Sequence, residues 1–218
     1  MFKRLFGRGA DDSKDSGAEG SFHRLGWVAA ENNDYGVRML DCRSYTRSVP
    51  ANSDNPSVAA RFLRLRQAQS SDFQGRTPHE AVSIDCDLSF PPRQASTGPI
   101  HRARVMEDKW DVYQVGNDWC FIANWSGEPV FILSTEEDKE GVRATRLQAC
   151  LDMAGGDETL ALRQADYLAK HYIYDWGGPL PLPQGFPEQP RQIAEYAFEH
   201  YGRRASFATF EDTLPLRP

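Results

Sequence analysis

The chain has 218 residues, 40% hydrophobic and 26% charged, with a formal net charge of −6. That composition is ordinary for a globular domain, and its longest apolar runs fall far short of the roughly 20 residues a membrane-spanning helix needs. The acidic balance, with no dense Lys/Arg run in the body of the chain, argues against a nucleic-acid partner and favours another protein, basic if anything.

The N-terminus is a region apart. Met1–Gly9 reads MFKRLFGRG, in which Lys3, Arg4 and Arg8 interleave with Phe2, Leu5 and Phe6. Those three apolar residues share one helical face at i, i+3, i+4 spacing, so the segment is a candidate for docking on a partner or on an anionic membrane surface. No apolar h-region or cleavage site follows it, so no secretory signal is read and a cytoplasmic location is expected. Ala10–Ser21 carries four acids, one lysine and no large apolar residue, the composition of a flexible tether. The expected division is a flexible tail over residues 1–20 and a single α+β domain over residues 21–218.

In the domain, GWVAAE and VRMLDC flank the turn-forming NNDYG and predict a strand, a turn and a strand. Asn55 is placed as an N-cap before Pro56 at the first helical position. Val58, Ala59, Phe62 and Leu65 then mark one face of a helix over about 56–69, with Arg61, Arg64 and Arg66 largely off that stripe. An arginine cluster of this kind can bind phosphate, although solvated pairing with nearby acids is the commoner outcome. Ala81–Phe90 has the cleanest two-residue alternation in the chain, with Asp85 and Asp87 on its polar side.

Residues 109–151 hold three of the five tryptophans in apolar runs separated by Asn117 and by Ser126–Gly127. They predict a β-meander, with Trp119, Phe121, Ala123 and Trp125 on one face and Cys120, Ile122 and Asn124 on the other. Thr145, Leu147, Ala149 and Leu151 alternate as a further strand, although a helix also fits 142–151. Asp157 caps a helix over 157–172, buried along Ala161, Ala165, Leu168 and Tyr172. The five prolines of Gly177–Pro190 exclude a helix or a central strand. PLPLP within this run fits a polyproline II ligand or, more simply, an extended connector over the domain's own aromatics. A last helix spans 190–202, with Gly202 at its C′ position. The fold class is therefore α+β, an antiparallel sheet with a central meander packed by about three helices, and Arg203–Pro218 is a loosely patterned tail.

Familiar chemistry is missing from the sequence. The histidines form no zinc-binding spacing, and His171 and His200 sit near helix ends where the dipole favours a cation. No nucleophile elbow and no phosphate-cradling glycine loop occur. Cys42, Cys86, Cys120 and Cys150 are widely spaced, as reduced buried thiols would be. No metal or cofactor is implied, and no motif carries a family; the layout is that of a small bacterial-type soluble protein.

Three functions fit. The first is a non-enzymatic protein-binding domain of the immunity or accessory type, with Trp110, Tyr113 and Trp125 as candidate contacts beside Phe2, Leu5 and Phe6. The second is an enzyme drawing on Asp85, Asp87, His101 or Cys120. The third is peripheral membrane or scaffold docking through residues 1–9.

Overall fold

The computed structural model describes residues 24–51, 55–93 and 98–217. Phe2, Leu5, Phe6 and the acidic tether lie outside them.

Among the described residues, ten strands form two sheets. In the larger, β3 (Val82–Phe90), β8 (Val142–Ala149), β7 (Pro129–Glu137), β6 (Asp118–Ala123), β5 (Trp110–Val115) and β4 (Gly98–His101) lie in that order, every neighbour antiparallel. Strands β5 to β8 are consecutive, which makes the expected meander. The segment that fitted either strand or helix is strand β8, because Val142, Ala144, Leu147 and Ala149 are buried while Arg143 and Arg146 are exposed.

Both faces of this sheet are covered. Trp110, Val112, Trp119 and Phe121 point towards α3 (Glu158–Ile173) and α4 (Pro190–Tyr201) in the main core. Tyr113, Cys120, Ile122 and Ile132 point the other way, against Leu65 of α2 (Pro56–Leu65) and Phe73 of the 3-10 turn Ser70–Phe73. The alternation read along β6 is thus the real division between the two layers. Helix starts follow the capping residues: the Asn55 side chain accepts from the Ser57 amide, and that of Asp157 from the Leu160 amide.

The second sheet was not anticipated. Strands β1 (Gly26–Val28), β2 (Met39–Asp41), β10 (Phe207–Thr209) and β9 (Leu180–Pro181) lie in that order, with β9 and β10 parallel. The tail read as loosely patterned therefore supplies an inner strand. Its three residues are too few to show a period, and they are held by pairing with β2 across the length of the chain. Proline-rich β9 takes the sheet's edge, where a missing N–H is tolerated. Leu180 and Leu182 on either side of Pro181 are buried, so this segment packs inward as a connector. After β2, the short helix α1 (Arg43–Thr46) turns the chain towards α4.

Candidate functional site

Beside edge strand β4, a concavity of about 870 Å³ is lined by Arg66, Pro99, Ile100, His101, Arg102, Ala103, Arg104, Asp108 and Arg204. That volume lies within the usual range for ligand sites. Four arginines face one aspartate, a lining charge of +3 in a chain whose total is −6.

Each guanidinium is delivered by a different structural device. Arg66 is the C-cap of α2, and Tyr113 holds that helix end by donating its hydroxyl to the Leu65 carbonyl at 3.2 Å. Arg66 itself donates to the Ala103 carbonyl and to Asp111, whose other oxygen accepts from the Ala103 amide at 2.8 Å. Asp111 therefore clamps the α2 end and the loop after β4 to each other. Its burial pushes its pKa up, and the Arg66 charge offsets part of that rise.

Arg204 arrives from the opposite side, just past α4. Trp110 donates its indole N–H to the His200 carbonyl at 2.8 Å, fixing the last turn of that helix. Gly202 follows, with φ +75°, packed so closely on the Glu107 carbonyl that a Cβ would overlap it. The Arg203 amide donates to the same carbonyl at 3.0 Å. Beyond this anchor, the Arg204 guanidinium lies 5.2 Å from the Tyr172 ring centroid. It donates to His171 Nε2 at 3.3 Å and to Asp175 Oδ1 at 2.9 Å. Asp175 is 92% exposed at its side chain, so water screens that pair and leaves much of the Arg204 field directed into the groove.

Arg102 donates to the Ala68 carbonyl. Arg104 is exposed and has no side-chain partner among the described residues; only its backbone amide is engaged, with Asp108 at 3.1 Å. His101 completes the floor, its ring 4.7 Å from that of Tyr172 and its Nε2 buried without a hydrogen-bond partner. Burial pushes the His101 pKa down to about 4, and Arg204, Arg66 and Arg104 push in the same direction. The ring is neutral at pH 7, and it registers three of the four guanidiniums at once.

His171 and His200 are also neutral, contrary to the cationic helix-end role expected. Burial lowers both to about 4, outweighing the helix dipole. His171 accepts from Arg204 at Nε2 and therefore carries its proton on Nδ1, facing the Trp176 carbonyl at 2.8 Å.

The aromatic contacts expected from the sequence are rearranged. Trp110 and Tyr113 are fully buried and present no surface to a partner. Their polar tips instead hold the helix ends that carry Arg204 and Arg66, so they support the groove from behind. Trp125 is half-buried, 5.9 Å edge-on to Trp110 and 5.9 Å from the Lys109 ammonium, outside the groove. Asp85 and Asp87 are exposed on β3 at the far edge of the sheet, and Asp87 pairs with Arg143 at 2.8 Å. Cys120 is buried beneath α2, and desolvation pushes its pKa up to about 12, keeping it a thiol. Among the described residues, no group of three or more His, Cys, Asp or Glu is placed to hold a metal ion. Nor is any helix there long and apolar enough to cross a membrane.

Sequence reasoning noticed Arg66 and His101 but missed Arg102, Arg104, Asp111 and Arg204. One signal was present: Asp111 interrupts the apolar run WDVYQV, and a lone carboxylate in a buried strand implies a cation behind it. Comparison with protein-family models, curated proteins and solved structures finds no match to this chain.

Proposed function

We propose that this protein is a non-enzymatic binding domain of the accessory type that holds an acidic segment of a partner protein in the arginine-lined groove. The observation carrying this reading is the convergence of Arg66, Arg102, Arg104 and Arg204 on one concavity whose lining holds one aspartate, with Arg66 braced from behind by Asp111 and Arg204 by Asp175. Guanidinium groups on a fixed frame bind carboxylates through paired, charge-assisted hydrogen bonds. Net charge had favoured a basic partner. The local field at the groove has the opposite sign, and a partner meets the local field.

Side chains rather than backbone make the contact. Strand β4 begins with Gly98–Pro99 and its register shifts between Pro99 and His101, features that discourage an added strand at its free edge. The aromatic ring beneath the groove, Tyr172, is buried, so no ring face is offered for stacking nucleic-acid bases.

Fluorescence anisotropy tests this with a labelled glutamate-rich peptide and the full-length protein. Saturable, salt-sensitive binding is expected, weakened at least tenfold by Arg104→Glu, while a lysine-rich peptide of equal length binds more weakly. Equal binding by wild type and Arg104→Glu, or preference for the lysine-rich peptide, removes the proposal.

A further inference from the structure

A second concavity, of about 400 Å³, lies on the other side of the turn that ends α2. It is lined by Arg61, Arg64, Leu65, Gln67, Ala68, Asp72, Phe73, Arg76, Ser126, Gly127 and Glu128. Arg61 and Arg64 are exposed and make no side-chain bond or ion pair among the described residues. At three residues apart they project from the same helix face, whereas Arg66 projects from another. Arg76 donates to the Gly127 carbonyl at 3.4 Å and stands 3.7 Å from Glu128, a pair exposed on both sides and therefore weak. Three arginines against Asp72 and Glu128 leave a lining charge of +1.

The wall between the two grooves is one turn of chain. Leu65 lines the second groove and its neighbour Arg66 the first. Ala68 lines the second, and its carbonyl accepts from Arg102 of the first. Gln67 is exposed on the crest. Guanidiniums thus stand on both sides of the single turn Leu65–Ala68, in which Leu65 is buried and Gln67 is exposed.

We infer that the two grooves form one bivalent acceptor, in which a single acidic segment crosses the α2 end and engages Arg102, Arg104 and Arg204 on one side and Arg61 and Arg64 on the other. This rests on the acidic-partner reading of the first groove and extends it to the length of segment recognised. Size ranks the two: at about 870 Å³ against about 400 Å³, the first groove is the primary site and the second the extension. A segment long enough to reach both gains by effective concentration, since its second contact is intramolecular. The nearby ring of Phe73 is buried, so the second groove, like the first, offers charge without a stacking surface.

The experiment uses the full-length protein with labelled peptides of three and ten glutamates and a ten-nucleotide oligothymidylate. The ten-residue peptide is expected to bind at least tenfold more tightly than the three-residue one and with a steeper salt dependence. Arg61→Ala/Arg64→Ala should remove most of that difference while leaving the three-residue peptide within twofold of wild type. The control Arg143→Ala/Arg146→Ala, which deletes the same charge from exposed positions on β8, should leave it intact. If Arg61→Ala/Arg64→Ala changes nothing while Arg104→Glu still abolishes binding, the bivalent acceptor is wrong and the primary groove stands. If neither peptide binds wild type, both readings fall. Tighter binding of the oligothymidylate, with the same arginine dependence, overturns the acidic protein segment as occupant.

Discussion

Two clusters of charge in this protein both set basic side chains against aspartate and are treated in opposite ways. On α3, Lys170 and Asp166 are 0% and 1% exposed and 2.6 Å apart, and the ammonium also donates to the Thr213 and Leu214 carbonyls at 3.2 Å. At the groove, Arg104 is exposed with only its backbone engaged, and Arg204 is shared with a histidine and a solvated aspartate. Burial raises the Asp166 pKa and lowers that of Lys170, each partly restored by the other's charge. A sealed pair of this kind fastens the C-terminal segment to α3 and has nothing left to give a ligand. The groove keeps its charge facing outward. Where a charge is satisfied internally it serves the scaffold, and where the scaffold merely aims it, it is free to bind.

Breaking the sealed pair should have the largest effect. Lys170→Met leaves Asp166 buried without its cation and is expected to cost about 3–5 kcal/mol in urea denaturation. Asp166→Leu/Lys170→Met should recover most of that loss, because the charge left uncompensated is what destabilises. A double variant no more stable than Lys170→Met would mean that the Thr213 and Leu214 contacts, rather than the charges, hold the segment.

Acid should come next. His101, His171 and His200 are lowered to about 4 from 6.5 in the folded protein. The unfolded chain therefore takes up protons first, and stability declines as pH falls from 6.5 towards 4. Asp166, raised to about 6 from 3.8, works in the opposite direction over that range and offsets part of the decline. A net loss of several kcal/mol between pH 7.5 and 4.5 is expected from urea midpoints, reduced in His200→Gln. A flat profile would show that the three rings are not neutral in the fold.

Gly202→Ala should cost about 1–3 kcal/mol, from overlap with the Glu107 carbonyl at a positive φ. It should also weaken peptide binding, because that contact sets the position of Arg204. Loss of stability with binding retained would separate the groove from its α4 anchor. The smallest stability effect belongs to the groove's own charge: Arg104→Ala should change unfolding by less than about 0.5 kcal/mol while still reducing peptide affinity. A destabilisation comparable to that of Lys170→Met would place Arg104 in the scaffold and dissolve the contrast.

Local chemistry by itself determined the meander, the two faces of β6, the helix starts at Asn55 and Asp157, and the exclusion of the proline run from helix and central strand. Each follows from a short-range rule of alternation, helical period or capping, so a few neighbouring residues suffice. Tertiary structure decided the second sheet, where β10 joins β2 from the other end of the chain. It also decided the site. Arg66, Arg104 and Arg204 come from three separate stretches, and nothing local marks them as neighbours. Trp110 and Tyr113 look like contact residues in the sequence because they are large and amphipathic. In the fold the same two properties suit them to fill the layers on either side of β5 and to bond the helix ends from behind. The sign of the groove was equally beyond the sequence, because net charge sums over the whole surface whereas a partner meets only the few side chains that folding brings to one place.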